Sequence, residues 1–316
     1  MKRPKFIIQI AGGMCNQMFQ YAHARALQKE FGGEILFDLH WFKYGPKHLP
    51  FSLMHYKASE NYRTKLSFWE TLSLYYLAII RRIFEKIGIQ TEKGFKNATK
   101  FGVYYQFRWP WFNTMIKPLM PVNYVYGGYF SGKYFENAIK EVKEDFKIIV
   151  PLENKIQVMA VELASCNSVC VHIRLGDYKA PGIKEKLFVC NEYYYETAVK
   201  KMQELVEQPV FYIFSNTHKD FLEIQDSFNF GEAEVRFVDM GNKDFEDLYL
   251  MSMCKHFILS NSTYSWWGQY LSDNNSRIVM APKKWNNLEH DPNWDPSDIY
   301  MDGWIRIENS ENSNED

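Results

Sequence analysis

At 316 residues, 46% hydrophobic and 24% charged, the chain is long enough for two domains with cores of their own and has an ordinary globular balance. A formal net charge of −1 argues against a nucleic-acid binder, whose domain would be strongly basic. Five cysteines (Cys15, Cys166, Cys170, Cys190, Cys254) include no CxxC pair, so neither a zinc site nor a disulfide framework is expected, and a reducing cytoplasm is the simplest compartment. The opening MKRPKFIIQIAGG has too short an apolar run for a signal peptide, and no segment approaches the roughly 18 apolar residues of a membrane span. The 24 Phe, 21 Tyr and 9 Trp are mostly core by expectation, although exposed rings also suit the apolar faces of sugars.

Lys5–Ile10 reads as a strand, Ala11-Gly12-Gly13 as a turn, and Asn16–Phe31 as a helix with Met18, Ala22 and Ala26 on one face. Strand, glycine turn and helix open many nucleotide- or substrate-binding α/β domains. With no GxGxxG and no ATPase phosphate loop, the turn is only a weak phosphate signal. Asn16 and Gln17 could aim amides into a cleft; Asn16 could equally cap the helix, and locally the cap is favoured. Glu34–Leu39 is a second strand, with Asp38 near its end. Leu66–Ile89 is predicted helical. Its apolar run Leu72–Ile80, followed by Arg81, Arg82 and Lys86, would allow weak peripheral lodging among membrane headgroups, but a core-packed helix with a solvated end is the favoured reading. Residues 101–113 are aromatic and hold Arg108, a candidate cleft wall. Val122–Phe130 reads as a strand and Phe135–Phe146 as a helix leading to Pro151, where the domain boundary is placed.

The second half alternates cleanly. Strands are predicted at Val169–Ile173, Val210–Phe214, Val235–Val238, His256–Leu259 and Arg277–Met280. Helices are predicted at Asn191–Val206, Lys219–Ser227, Phe245–Met253 and Ser262–Leu271. The expected architecture is therefore α/β, with two facing Rossmann-like domains (1–150 and 151–307), a cleft between them, and a disordered tail at 308–316.

Two stretches carry chemistry. VCVHIRLGDY (169–178) ends a strand in His172, Arg174 and Asp177, with Gly176 allowing a sharp turn. A guanidinium there offers a planar fork suited to a diphosphate or carboxylate; a structural Arg174–Asp177 pair closing the turn is the alternative. In DLYLMSMCKHFILSNSTYSWWGQYL (247–271), Ser260, Asn261, Ser262 and Thr263 stand where a strand meets a helix N-terminus, a natural anion site. Asp247 opens the preceding helix. A carboxylate suits the adjacent N1–H and N2–H₂ donors of guanine, and dipole compensation in a first helical turn is the bland alternative.

GGMCNQMFQYAHARAL (12–27), VHIRLGDY (171–178) and LYLMSMCKHFILSNSTYSWWGQYL (248–271) together resemble the bacterial α-1,2-fucosyltransferases of glycosyltransferase family 11. The usual motifs there are GGLGNQMFQYA, HxRRGDY and a SNSTFSWW block. The resemblance implies a GT-B-like fold. It also implies transfer of L-fucose from GDP-β-L-fucose, with inversion and no metal or other cofactor, to O2 of a terminal galactose, in surface-polysaccharide or O-antigen synthesis. By similarity Arg174 grips the β-phosphate, His172 and Asp247 face the guanosine, and Ser262 and Thr263 cap the diphosphate. Gly12, Gly13, Asn16 and Gln17 then lie near fucose and acceptor, while Trp266 and Trp267 pack.

Three positions depart from the family pattern. Leu175 stands in place of a second Arg, Cys15 in place of Gly, and Asn216 in place of an Asp. The related α-1,6 enzymes carry a candidate base where this chain has Gly182. Asp177 is the nearest acid for that role, Asp38 is a more distant one, and a mechanism without a dedicated base is the third option. A catalytically silent nucleotide-sugar or glycan-binding module is the alternative to an enzyme. A site in the cytoplasm, with or without contact to the inner membrane, is expected.

Overall fold

Runs of β-branched and aromatic residues in each half of the chain become the strands of two parallel sheets. The computed structural model describes residues 3–87, 92–106, 115–287, 289 and 296–310, with Asp177 described by its backbone alone. The backbone divides into two units, Met1–Val150 with Asn293–Tyr300, and Pro151–Pro292 with Met301–Asp316.

The first unit holds β1 (Lys5–Gln9), β2 (Glu34–Asp38), β3 (Tyr62–Arg63), β4 (Val103–Tyr105) and β5 (Val122–Tyr126), in the order β3-β2-β1-β5-β4. Its helices are α1 (Met14–Phe31), α2 (Trp41–Tyr44), α3 (Phe68–Lys86), α4 (Glu92–Thr99) and α5 (Ile139–Asp145). The chain after β5 is redirected by Gly127 at φ 156° and Tyr129 at φ 57°, so the strand stops at Tyr126 and not at Phe130. The helix expected at Phe135–Phe146 begins instead as a 3-10 segment, Gly132–Ala138, broken at Phe135. Much of the aromatic content is core. Phe37 and Tyr62 stack at 4.0 Å, and buried Tyr21 donates to Asp145 Oδ2 at 2.7 Å, which also accepts from Arg25 Nε at 2.8 Å.

Helix α3 departs from the core-packed reading. Ser67 and Glu70 cap it reciprocally, as S-x-x-E permits. Glu70 also accepts from Arg63 at 2.8 Å and from Lys5 at 2.6 Å, and the Arg63 hydrogen bond above all holds its carboxyl well below the usual range. Only Glu70, Leu74 and Leu77 of this helix are buried. Arg108 and the surrounding residues 107–114 lie outside the described residues.

The second unit holds β6 (Ser168–His172), β7 (Val210–Phe214), β8 (Glu234–Phe237), β9 (His256–Ile258), β10 (Val279–Pro282) and β11 (Ile305–Ile307), in the order β11-β10-β9-β6-β7-β8. Winding runs outward from β6 in one direction and then, from β9, in the other, so the order reverses between β6 and β9. Its helices are α6 (Asn154–Ser165), α7 (Lys184–Leu187), α8 (Glu192–Leu205), α9 (His218–Ser227), α10 (Asp244–Met253) and α11 (Thr263–Leu271). The sixth strand, β11, is only three residues long and leaves no periodic trace in the sequence, yet it pairs with β10 throughout.

The expected 151–307 domain needs one correction. Asn293–Tyr300 belongs to the first unit, where Ile299 is buried and Lys133 pairs with Asp298. The start of the expected disordered tail is also held: Asn309 donates to the Val189 carbonyl at 2.7 Å, and Glu308 pairs with Lys283. Residues 311–316 lie outside the described residues.

Candidate active site

In a doubly wound sheet, ligands bind beyond the carboxyl ends of the strands, where the order reverses. In the second unit that point lies between β6 and β9, and both sequence stretches emerge there. His172 closes β6 and is almost fully buried. Its Nδ1 lies 2.5 Å from Ser265 Oγ and 3.0 Å from Ser260 Oγ, and those two hydroxyls are 2.9 Å apart. Burial, with a smaller push from the Arg174 charge, lowers its pKa to about 3, so the imidazole is neutral. Through this network His172 ties the end of β6 to the first turn of α11.

Arg174 follows, with Nη1 donating to Asn216 Oδ1 at 3.3 Å and its guanidinium 5.2 Å from the Tyr178 ring. Leu175 turns the other way, into the core with Val171, Ile173 and Tyr195. The position that departs from the family's second arginine is therefore a packing position in this chain. Asp177 lies in the 3-10 turn Gly176–Lys179, with its side chain outside the described residues.

The four polar residues before α11 divide the work. Ser260 serves His172. Asn261 donates to the carbonyls of Leu187 and Trp285, both at 2.8 Å. Ser262 is the N-cap, accepting from Tyr264 N at 3.2 Å, and Thr263 opens the helix. The anion signal read from four adjacent residues thus narrows to Ser262, Thr263 and the backbone of one helix terminus. Trp266 and Trp267 are fully buried packing residues.

Asp247 lies in the first turn of α10 and accepts from Asn242 Nδ2 at 2.6 Å. Burial, reinforced by Asp244 and Glu246, raises its pKa to about 6 against the opposing effects of Asn242 and Lys155. The two helix termini are joined because Tyr264 donates to the Asp244 carbonyl, and the Tyr264 ring lies 5.4 Å from that of His172.

In the first unit the loop after β1 occupies the equivalent edge. Gly13 is the N-cap of α1, so Asn16 does not cap the helix; its amide packs against Gly12, where a Cβ would sit 2.7 Å from Nδ2. At φ 79°, Gly12 holds a left-handed conformation that few other residues tolerate. Gln17, expected near substrate, is fully buried. Its Nε2 donates to the carbonyls of Gly12 at 2.9 Å and Pro50 at 2.8 Å, and its Oε1 accepts from Ser52 N at 2.9 Å. Those bonds use both amide protons, which makes Gln17 a clamp on the glycine loop. Gln20 holds Ala11 from the same helix, accepting from its N–H at 2.9 Å. Cys15 is buried in α1, so the departure from Gly there does not fill the loop surface.

One pair was not recognised from sequence. Asp38, buried at the end of β2, accepts at a single oxygen from the His40 backbone N–H at 3.0 Å and meets His40 Nδ1 at 2.6 Å. The Asp38 carbonyl accepts from Ile10 N at 3.1 Å, which places the pair beside the glycine loop. The sequence signal was an Asp-x-His spacing immediately after a strand. The carboxylate orients the ring, and the other ring nitrogen, Nε2, lies 3.4 Å from the Tyr75 hydroxyl. Among the described residues, no three His, Cys, Asp or Glu side chains gather as metal ligands.

Two parallel α/β sheets, one of them with an arginine and a helix N-terminus following adjacent strands at its switch point, make a GT-B-like fold. The fold is similar to that in the crystal structure of fucosyltransferase NodZ from Bradyrhizobium, with a TM-score of 0.51 at 12% identity over 86% of this chain and 94% of that one. The family model described as Glycosyl transferase family 11 matches residues 91–308, and the chain belongs to that family. An alpha-1,2-colitosyltransferase of Escherichia coli is 27% identical over 310 residues, covering 96% of this chain and 98% of its own length. The O-antigen biosynthesis glycosyltransferase WbnK of Escherichia coli is 25% identical over 337 residues, covering 94% and 99%.

Proposed function

We propose that the protein transfers L-fucose from GDP-β-L-fucose to O2 of a galactose ending a bacterial surface glycan, with inversion and without a metal ion. The observation that carries this reading is the convergence of Arg174, the Ser262 helix terminus and Asp247 at one sheet edge, a cation, an N–H cradle and a carboxylate suited to the diphosphate and guanine of one donor. Arg174 and the helix terminus neutralise the departing diphosphate, which leaves no need for a cation. An acceptor hydroxyl must lose its proton, and the Asp38–His40 pair has the chemistry of a base, a ring that can take a proton and a carboxylate that stabilises the imidazolium.

The similarity to a colitosyltransferase along nearly the full length of both chains supports a second donor, GDP-colitose, whose sugar is fucose without its 3-hydroxyl. Mass spectrometry of a galactoside panel incubated with each donor, with and without EDTA, separates these readings. A deoxyhexose added from GDP-fucose in EDTA is the expected product. Transfer from GDP-colitose alone replaces the donor, and activity lost in EDTA and restored by Mg²⁺ or Mn²⁺ removes the metal-free mechanism.

Asp247 makes donor affinity depend on pH. Only its carboxylate can accept from both guanine donors, so GDP affinity should be flat above pH 7 and fall as pH drops through about 6. The linked stability has the opposite sense, because the folded pKa is raised from 3.8. It is fully present below about pH 4 and is lost as pH rises through about 6. Asp247→Asn should therefore leave the unliganded protein at least as stable at neutral pH and weaken GDP binding about 10- to 100-fold, the worth of hydrogen bonds to a charged group. It should also abolish the pH step. Calorimetry showing an unchanged pH profile in this variant would place the base pocket elsewhere.

A further inference from the structure

Helix α3 exposes Phe68, Trp69, Leu72, Tyr75, Tyr76, Ile79 and Ile83, with Phe68 73% and Trp69 72% accessible, and the next residue past its end, Ile87, is 64% accessible. At 100° per residue these side chains fall in an arc of roughly 120°, one continuous stripe along the helix. The opposite side is fixed to the sheet. Glu70 is held by Arg63 and Lys5, Leu74 and Leu77 are buried, and the Arg81 guanidinium lies 3.8 Å over the Tyr126 ring. The stripe is therefore held outward by the fold and is not the loose face of a mobile segment.

Charge says what covers it. Lys65, Arg82 and Lys86 are exposed around the stripe. Both acids of the helix are engaged, Glu70 as above and Glu85 with Arg81 at 2.5 Å. The face is locally cationic in a chain whose net charge is −1. Two copies of the stripe laid together, in either direction, would bring cations against cations with no free carboxylate from the helix between them. An anionic lipid surface meets both requirements, with acyl chains for the aliphatic side chains and phosphates for the basic ones. Tryptophan and tyrosine, abundant here, favour the headgroup boundary. No helix among the described residues is long and apolar enough to cross a membrane.

We propose that α3 is an interfacial docking helix that lies in the headgroup layer of an anionic membrane through its Phe68–Ile83 stripe and its basic flank. Docking is a property of this face alone and does not depend on which sugar is transferred.

Flotation of the full chain with phosphatidylcholine vesicles, with and without phosphatidylglycerol, tests it. Wild type should float with the anionic vesicles, less in high salt, and little with phosphatidylcholine alone. Arg82→Gln and Lys86→Gln should each lower partitioning about fivefold, the worth of one basic residue near an anionic surface. Trp69→Ser with Ile79→Ser should abolish flotation even at low salt. Both sets should keep the wild-type melting temperature and turnover on a soluble acceptor, because these side chains are exposed and Tyr75, which meets His40, is left in place. Failure of the wild type to float with anionic vesicles at low salt overturns the proposal. So does a dimer in sedimentation that the Trp69→Ser, Ile79→Ser variant dissociates, since the stripe would then be its own partner.

Discussion

Replacing Arg174 by alanine should lower turnover about 10²- to 10³-fold, the cost of removing one preorganised donor from a site of developing charge. As the glycosidic bond breaks, negative charge grows on the β-phosphate, so the loss should fall more on kcat than on donor affinity. Lysine should rescue little, because a point charge cannot present the planar fork. The surroundings sharpen the expectation. Arg174 donates to Asn216, a neutral acceptor, at 3.3 Å, and the neighbouring Leu175 is in the core. Where the family pattern has a second arginine and an aspartate, this chain has neither, so one cation and one anion are lost together. Asn216→Asp alone would pair off the remaining guanidinium and should weaken GDP binding about tenfold, with a strong salt dependence. Near-normal turnover in Arg174→Ala would show that the donor diphosphate is bound elsewhere.

His40→Gln should lower kcat about 10²- to 10⁴-fold, the contribution of a positioned general base. Azide, a nucleophile with no proton to lose, should restore transfer to form the fucosyl azide. Asp38→Asn should fall less far, since it keeps the hydrogen bond to the ring and loses only the stabilisation of imidazolium. Asp177→Asn serves as the contrasting arm. If that variant, and not His40→Gln, shows the loss with azide rescue, the base belongs to the Gly176–Lys179 turn. Full turnover in His40→Gln and Asp177→Asn alike would favour departure of GDP ahead of attack, with no dedicated base.

The second unit was the more legible half because its strands are buried runs separated by amphipathic helices, a pattern that periodicity captures. Val210–Phe214 is found as expected, and Asn191 caps α8 as its sequence suggests, accepting from Tyr194 N at 3.1 Å. Strands β3, β4 and β11 escaped because two or three residues carry no period; they exist through pairing with a neighbour already in place. The motifs pointed to the switch point of the second sheet but not to the division of labour among their residues. Gln17, His172, Ser260 and Asn261 read as ligand-facing polar residues, yet their hydrogen bonds turn inward, and nothing in a one-dimensional pattern distinguishes an amide aimed at solvent from one aimed at a backbone carbonyl. The Asp38–His40 pair was hidden for a related reason, since its significance comes from the bend that folds residue 40 back onto residue 38. Helix α3 was misread because apolar residues at helical spacing look alike whether they face a core or are left bare.

The glutamine clamp on the glycine loop has a thermodynamic consequence. Gln17 and Gln20 satisfy the Ala11 and Gly12 backbone from inside α1, and the same amide of Gln17 reaches Pro50 and Ser52. Ordering a backbone residue costs about 1–2 kcal/mol of conformational entropy, and here that cost falls on folding. Under the proposed function a sugar reaching the loop would meet a backbone already ordered, so the free energy of its contacts would not be diminished by freezing the chain. Substitutions at Gln17 would accordingly surface as looser, entropically taxed binding at the loop even though its amide is spent on Gly12, Pro50 and Ser52.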